Sequence, residues 1–193
     1  MDFSIRAILP SDFKRIYKKI KRDFAPGEYA PYTVLYKQLK KGIQQGFLLY
    51  AGGDEAAYAV CAAGHPNGFV LVSLLAVYPE YRGRGFGTEF IRELKKIYTD
   101  KKGVIVEVEK PEDAKDEDEK TRREKRIAFY RKAGFEQIPG IEYSIWTVPM
   151  HLMVFPGGIL SPRETGAVMH EIYLELMGKH FIHMMKFREV ADF

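Results

Sequence analysis

Val77-Tyr78-Pro79-Glu80-Tyr81-Arg82-Gly83-Arg84-Gly85-Phe86-Gly87-Thr88 decides how this chain folds, because an apolar run enters it and an amphipathic helical pattern leaves it. Upstream, Phe69-Val70-Leu71-Val72-Ser73-Leu74-Leu75-Ala76-Val77 reads as a buried strand. Downstream, Phe90, Ile91, Leu94, Ile97 and Tyr98 recur at helical spacing. The stretch is therefore a corner between strand and helix. Glycines at 83, 85 and 87 remove side-chain bulk, so several backbone N–H groups can converge at the positive end of the helix dipole, and Arg82 and Arg84 add charge-assisted donors. Such a corner suits a phosphate. Two other readings stand beside it. One is a dinucleotide-binding turn, whose Gly-x-Gly-x-x-Gly spacing and preceding strand of a repeated βαβ pattern are absent here; the other is a tight turn with no ligand.

At 193 residues, 46% hydrophobic and 29% charged, the chain has the length and composition of a single domain with a sizeable core, and global disorder is excluded. No apolar run approaches a membrane span, and Met1-Asp2-Phe3-Ser4-Ile5-Arg6 lacks signal-peptide character, so a soluble cytoplasmic protein is expected. The one cysteine, Cys61, lies in an apolar segment and has no intrachain disulfide partner. A net charge of +4 is too mild to imply nucleic acid. Its distribution is uneven: residues 1–48 hold ten Lys or Arg against four acids, whereas residues 107–119 hold eight acids against two lysines.

Along the chain, Phe3–Ile8 reads as a strand, and Pro10-Ser11-Asp12 starts a helix through about Phe24 with Phe13, Ile16, Tyr17 and Ile20 on its apolar face. Its basic face reads as solvated. A Tyr-rich break at 25–32 precedes a second helix, and strands follow at 46–51 and 56–63, joined through Gly52-Gly53-Asp54-Glu55. With the strand before the glycine corner, these suggest an antiparallel meander. After the corner helix, strand 103–109 places Ile105, Glu107 and Glu109 on one face. A charged segment, 110–124, leads into a helix closed by Gly134, and Phe135 opens the next strand. Strands at 141–146 and 151–155, separated at Val148-Pro149, are followed by a helix capped by Ser161-Pro162-Arg163-Glu164. That helix carries the apolar stripe Val168, Met169, Ile172, Tyr173, Leu176 and Met177, which packs on the sheet or forms a dimer contact. His180 and His183 lie three apart on a possible helix, without the carboxylate or cysteine pattern of a metal site.

Arg82-x-x-Gly85-x-Gly87 resembles the acyl-CoA pyrophosphate loop of the GNAT superfamily of N-acetyltransferases, and Phe129-Tyr130, followed after three residues by Gly134-Phe135, resembles a second signature of the same superfamily. The resemblance covers roughly residues 3–155, the core of a single domain 1–193 with a helical extension at about 161–190. It implies an α/β (α+β) GNAT fold: a mixed central sheet of about seven strands, splayed at the acyl-CoA cleft, with helices on both faces and an extra C-terminal helix. It implies acetyl-CoA as co-substrate and no metal. The acceptor is a primary amine, a small molecule or a peptide. The assembly expected is a monomer or homodimer with no membrane partner, and nucleic acid is the less favoured partner.

Carried over by position, Arg82, Gly83, Arg84, Gly85, Phe86, Gly87 and Thr88 bind pyrophosphate, and the backbone of Leu75 and Val77 holds the pantetheine arm. Tyr130 protonates the departing thiolate; a phenol, with a pKa of about 10, keeps its proton until that thiolate develops. The amine must lose a proton to a base or a water chain. Some members place a glutamate eleven residues before the Arg82 position, where this chain has Leu71. Others, including ribosomal-protein N-terminal acetyltransferases, carry a glutamate in Leu-Glu-Val on the following strand, which Val106-Glu107-Val108 matches, so Glu107 is the base candidate. The Tyr-rich loop, with Tyr29 and Tyr32, and Glu109 become candidate acceptor contacts. Arg123 stands where that subfamily has an Asn. The negative segment at 107–119 either draws a small cationic amine to the acceptor side or is a solvated charged loop. Other function classes remain: a CoA-binding sensor without turnover, a peptide or protein N-terminal acetyltransferase, and a nucleic-acid-binding module.

Overall fold

Phe13, Ile16 and Ile20 recur on one stripe of the helix Pro10–Asp23 (α1) and are all buried. In the computed structural model, which describes residues 2–190, that stripe packs on Leu35, Leu48, Tyr58, Val60 and Leu74. Met1 and residues 191–193, included in the single-domain expectation, lie outside the described residues. The chain divides into two compact units, Met1–Gly64 with Val72–Asp100 and His65–Leu71 with Lys101–Phe193. Among the described residues, nine strands and five α-helices make a mixed α/β fold.

The first unit holds β1 (Phe3–Ala7), α1, α2 (Tyr32–Lys40), β2 (Gln44–Ala51), β3 (Asp54–Ala62), most of β4 (Phe69–Val77) and α3 (Phe86–Ile97), with strand order β1-β2-β3-β4. β1 runs antiparallel to β2 from Phe3↔Ala51 to Ala7↔Phe47, and β2 antiparallel to β3. Gly52 and Gly53, at φ 60° and 94°, make a two-residue hairpin between β2 and β3, and Asp54 and Glu55, read as part of the turn, open β3. On α3, Phe90, Ile91 and Leu94 are buried as expected, whereas Ile97 faces solvent. Burial pushes the Cys61 thiol up to about 12, so at neutral pH it packs as a small apolar group.

The second unit holds β5 (Gly103–Glu109), α4 (Glu117–Lys132), β6 (Glu136–Gln137), β7 (Ile141–Ile145), β8 (Val148–Phe155), α5 (Pro162–Met177) and β9 (Met185–Glu189). Its strand order is β5-β8-β7-β9, with β6 also on β8, and these pairs are antiparallel. Three features depart from the sequence reading. The charged segment is not a long loop: Asp116 accepts a hydrogen bond from the Glu119 N–H (2.7 Å) and starts α4 at Glu117, where Glu117, Asp118 and Glu119 favour the helix dipole. The β7–β8 turn falls at Trp146-Thr147 (φ 50° and 71°), two residues before the predicted break, held by a bond from the Trp146 N–H to the Met184 carbonyl (3.1 Å). And His183 lies in a short turn, Ile182–Met184, that leads into β9. The Ser161 cap is as read, Ser161 Oγ accepting from the Glu164 N–H; of the apolar stripe of α5, Val168, Met169, Ile172 and Tyr173 are buried together with Thr165, while Leu176 and Met177 are half-buried.

Candidate functional site

β4 ends at Val77, and Pro79–Tyr81 make one short turn before the glycine corner. Gly83 and Gly85 adopt φ 72° and 83°, a region that L side chains rarely enter, and a Cβ at either position would meet nothing within 4 Å. Gly85 is the N-cap of α3 and supplies no side-chain cap. The first N–H groups of a helix have no intrahelical acceptor, and in α3 those positions are Phe86, Gly87 and Thr88. Phe86 is buried edge-on against Phe3 (5.4 Å) and beside Tyr81 (5.1 Å), which fixes where the helix begins. Arg84 lies over the rings of Phe86 (5.2 Å) and Tyr81 (5.9 Å). Arg82 folds back, its Nε donating to the Val77 carbonyl (2.9 Å), and so closes the loop onto the strand. Leu75 and Val77 alternate with buried Leu74 and Ala76 and are half-buried, as expected of strand positions with one less-covered face.

Tyr29 and Tyr32 belong to a larger aromatic group. Tyr17 meets Tyr29 (5.8 Å) and Tyr32 (5.2 Å) edge-on; Tyr32 lies beside Phe13 (5.0 Å) and stacks on Tyr36 (5.9 Å). The Tyr17 hydroxyl donates to the Ala30 carbonyl (3.1 Å), tying the loop to α1. Such ring faces attract organic cations. The basic face of α1, expected to be solvated, instead holds Glu55 on β3. Arg15 donates both Nη groups to its carboxylate (2.7 Å each), Lys19 adds a 3.3 Å contact, and the Tyr78 hydroxyl donates as well. Burial pushes Glu55 up, but these donors and charges outweigh it and hold its pKa below the ordinary value. Tyr58 donates to Asp23 (3.0 Å) on the same side of the unit's core. Nothing in the sequence pointed to these pairs, which join residues 35 and 40 positions apart.

In the second unit the two carboxylates of β5, side by side in sequence pattern, go to different partners. Glu109 accepts from Arg123 Nη2 and Arg126 Nη1 (3.1 Å each), and Arg123 also donates to Glu119 (2.8 Å) and to the Lys110 carbonyl (2.6 Å). Arg123 is buried, so this network staples α4 to β5 and engages Glu109, the acceptor-contact candidate, on both oxygens. Glu107 instead lies between two phenols. Tyr173 of α5 is 2.9 and 2.7 Å from its two oxygens, and Tyr143 of β7 donates to Oε1. Burial raises the Glu107 pKa, and the two hydrogen bonds offset that only in part. Burial also pushes both tyrosine hydroxyls well above their ordinary value. The sequence reading missed these two residues, although a tyrosine inside a buried helix stripe is a signal, since its hydroxyl must find a partner. Tyr130 is buried on α4, its ring against Phe129 (4.9 Å) and Phe135 (5.5 Å). Its carbonyl accepts from the Phe135 N–H (3.0 Å), so the second signature is also a local packing unit. Among the described residues, no group of three or more His, Cys, Asp or Glu is placed to hold a metal, and no helix is long and apolar enough to cross a membrane.

Residues 43–137 match the family model of the acetyltransferase (GNAT) domain. The fold is similar to that of a protein of Bacteroides thetaiotaomicron assigned to the GNAT family of acetyltransferases, with a TM-score of 0.74, 21% identity, and coverage of 91% of this chain and 98% of that one. It is also similar to spermidine N-acetyltransferase from Vibrio cholerae in complex with CoA and spermine, with a TM-score of 0.60, 13% identity, and coverage of 79% and 94%. No curated protein sequence matches the chain.

Proposed function

We propose that this chain, which carries a GNAT acetyltransferase domain over residues 43–137, moves acetyl from acetyl-CoA directly to the primary amine of a small cationic acceptor. The observation that carries the proposal is the start of α3, which has no side-chain cap and where a Cβ at left-handed Gly83 or Gly85 would meet open space. That corner takes the pyrophosphate of acetyl-CoA, with Arg82 and Arg84 beside it and the backbone of Leu75 and Val77 along the pantetheine arm.

In the reaction the amine nitrogen attacks the thioester carbonyl; a C–N bond forms, the C–S bond breaks, and CoA leaves as thiolate. Tyr130 gives that thiolate its proton. Glu107 takes the proton that the ammonium must lose, and its raised pKa brings it nearer to the working pH, where a general base is most effective. The preference for a cation is supported by the aromatic faces of Tyr17, Tyr29 and Tyr32, and by the spermine bound in one structural neighbour. Calorimetric titration with acetyl-CoA, then thiol release with cationic, neutral and acidic amines, tests the whole. Tight acetyl-CoA binding with turnover on cationic amines is expected. Binding without turnover on any amine points to a sensor, and absence of binding removes the proposal.

A further inference from the structure

We propose that Tyr173, on the C-terminal helix α5, and Tyr143, on β7, are positioning residues for Glu107: together they hold its carboxyl group in one place in both of its protonation states. The inference rests on Glu107 as the base. Both tyrosines lie beyond residues 43–137, so the part of the chain outside the matched domain completes the environment of the proton acceptor.

The geometry is specific. Tyr173 lies within hydrogen-bond distance of both carboxylate oxygens, at 2.9 and 2.7 Å, and Tyr143 bonds Oε1. A phenol donates to a carboxylate and accepts from a carboxylic acid, so the same contacts persist when Glu107 gains its proton. Among the described residues Oε2 accepts from Tyr173 alone, which leaves it lone-pair capacity for an incoming proton. The surroundings present little else that titrates. β8 sets Leu152 opposite Glu107, β7 contributes Tyr143 and α5 contributes Tyr173; Glu109, two residues along β5, is neutralised by Arg123 and Arg126. Burial therefore works against ionised Glu107, and the two hydroxyls are its counterweight. Removing one hydroxyl moves the titration of Glu107 further up, by about one to two pH units for a hydrogen bond to a charged group.

The test follows the side-chain carboxyl by 13C NMR in protein labelled at glutamate Cδ. The Glu107 signal is identified by its loss in Glu107→Gln, and it is titrated in the native chain, Tyr173→Phe and Tyr143→Phe. In parallel, pH–rate profiles of kcat and KM are measured with acetyl-CoA and spermidine. The expected result is a higher Glu107 titration midpoint in both phenylalanine variants, with the acid limb of kcat displaced by the same amount. KM for spermidine should be unchanged, and Tyr173→Phe should have no further effect in the Glu107→Gln background. A Glu107 midpoint that stays in place in both variants overturns the inference whatever happens to the rate. If the midpoint moves but Glu107→Gln leaves the acid limb intact, the base assignment fails and the positioning role falls with it.

Discussion

A carboxyl group whose folded-state pKa is raised stabilises the fold when protonated, and Glu107 is such a group. Its contribution is fully present below the unfolded value of about 4.3 and is lost as pH rises through the folded one. Glu107→Gln, which cannot ionise, should therefore melt at a higher temperature than the native chain at pH 8. The gap should narrow as pH falls toward 4, while turnover is lost throughout. A melting difference that does not depend on pH would show that Glu107 is not destabilised by burial. Tyr130→Phe is the companion case. It keeps a ring packed on Phe129 and Phe135 and removes one hydroxyl, so kcat should fall by about 10²-fold or more while calorimetric affinity for acetyl-CoA stays within about twofold. Equal losses of both would reduce Tyr130 to a packing residue. At this scale the sequence named Glu107 and Tyr130 from short local patterns. It did not show the hydroxyls that hold Glu107, because Tyr143 and Tyr173 stand 36 and 66 residues away and only the folded sheet brings them in.

Among the elements, the strand, corner and helix from Phe69 to Ile97 were the most legible, since buried apolar pattern, glycines and helical spacing all agree there. Substituting Gly85 tests what the corner does. In the structure a Cβ at Gly85 meets open space, so the cost to the free chain is the backbone conformation alone. Gly85→Ala should thus destabilise the fold by only about 1–2 kcal/mol. It should weaken acetyl-CoA by at least about tenfold, because the N–H groups around it are no longer aimed as they were. Unchanged affinity by calorimetry would remove the phosphate from this corner. Elsewhere the element boundaries slipped for physical reasons. The start of α4 was hidden because its first turn is all acids, which read as a solvated run but are what a helix N-terminus favours. The turn at Trp146-Thr147 carries neither Gly nor Asn at its positive-φ positions; long-range contacts to Met184 and Phe181 impose it. β9 went unseen because, among the described residues, its only strand partner is β7, and its sequence, Met185-Lys-Phe-Arg-Glu189, is mostly exposed.

For the molecule as a whole, charge distinguishes the two units. The first has fifteen Lys and Arg against ten acids and carries the corner assigned to an anionic co-substrate; the second has fifteen against sixteen. If acetyl-CoA binds the first unit, its affinity should fall as salt rises, and KM for a cationic acceptor drawn by the acids of the second unit should rise with salt. The structure decides which acids can be altered to test this. Asp116 and Glu119 cap α4, and Glu119 also holds Arg123, so replacing them would disturb the fold as well as the field. Glu117, nearly fully exposed, and its neighbour Asp118 have lesser structural duties, and Asp113 ends a short turn at the surface. Exchanging these three for Gln or Asn removes three negative charges and keeps the cap. KM for spermidine should then rise at low ionic strength, by up to roughly tenfold, and the rise should shrink once the screening length falls to about 8 Å at physiological salt. A neutral primary amine measured alongside should keep its KM, since the field does not act on it, and kcat should hold for both. A spermidine KM that ignores both the substitutions and the salt would show that the acids serve the start of α4 and nothing else, and would leave cation preference to the rings of Tyr17, Tyr29 and Tyr32.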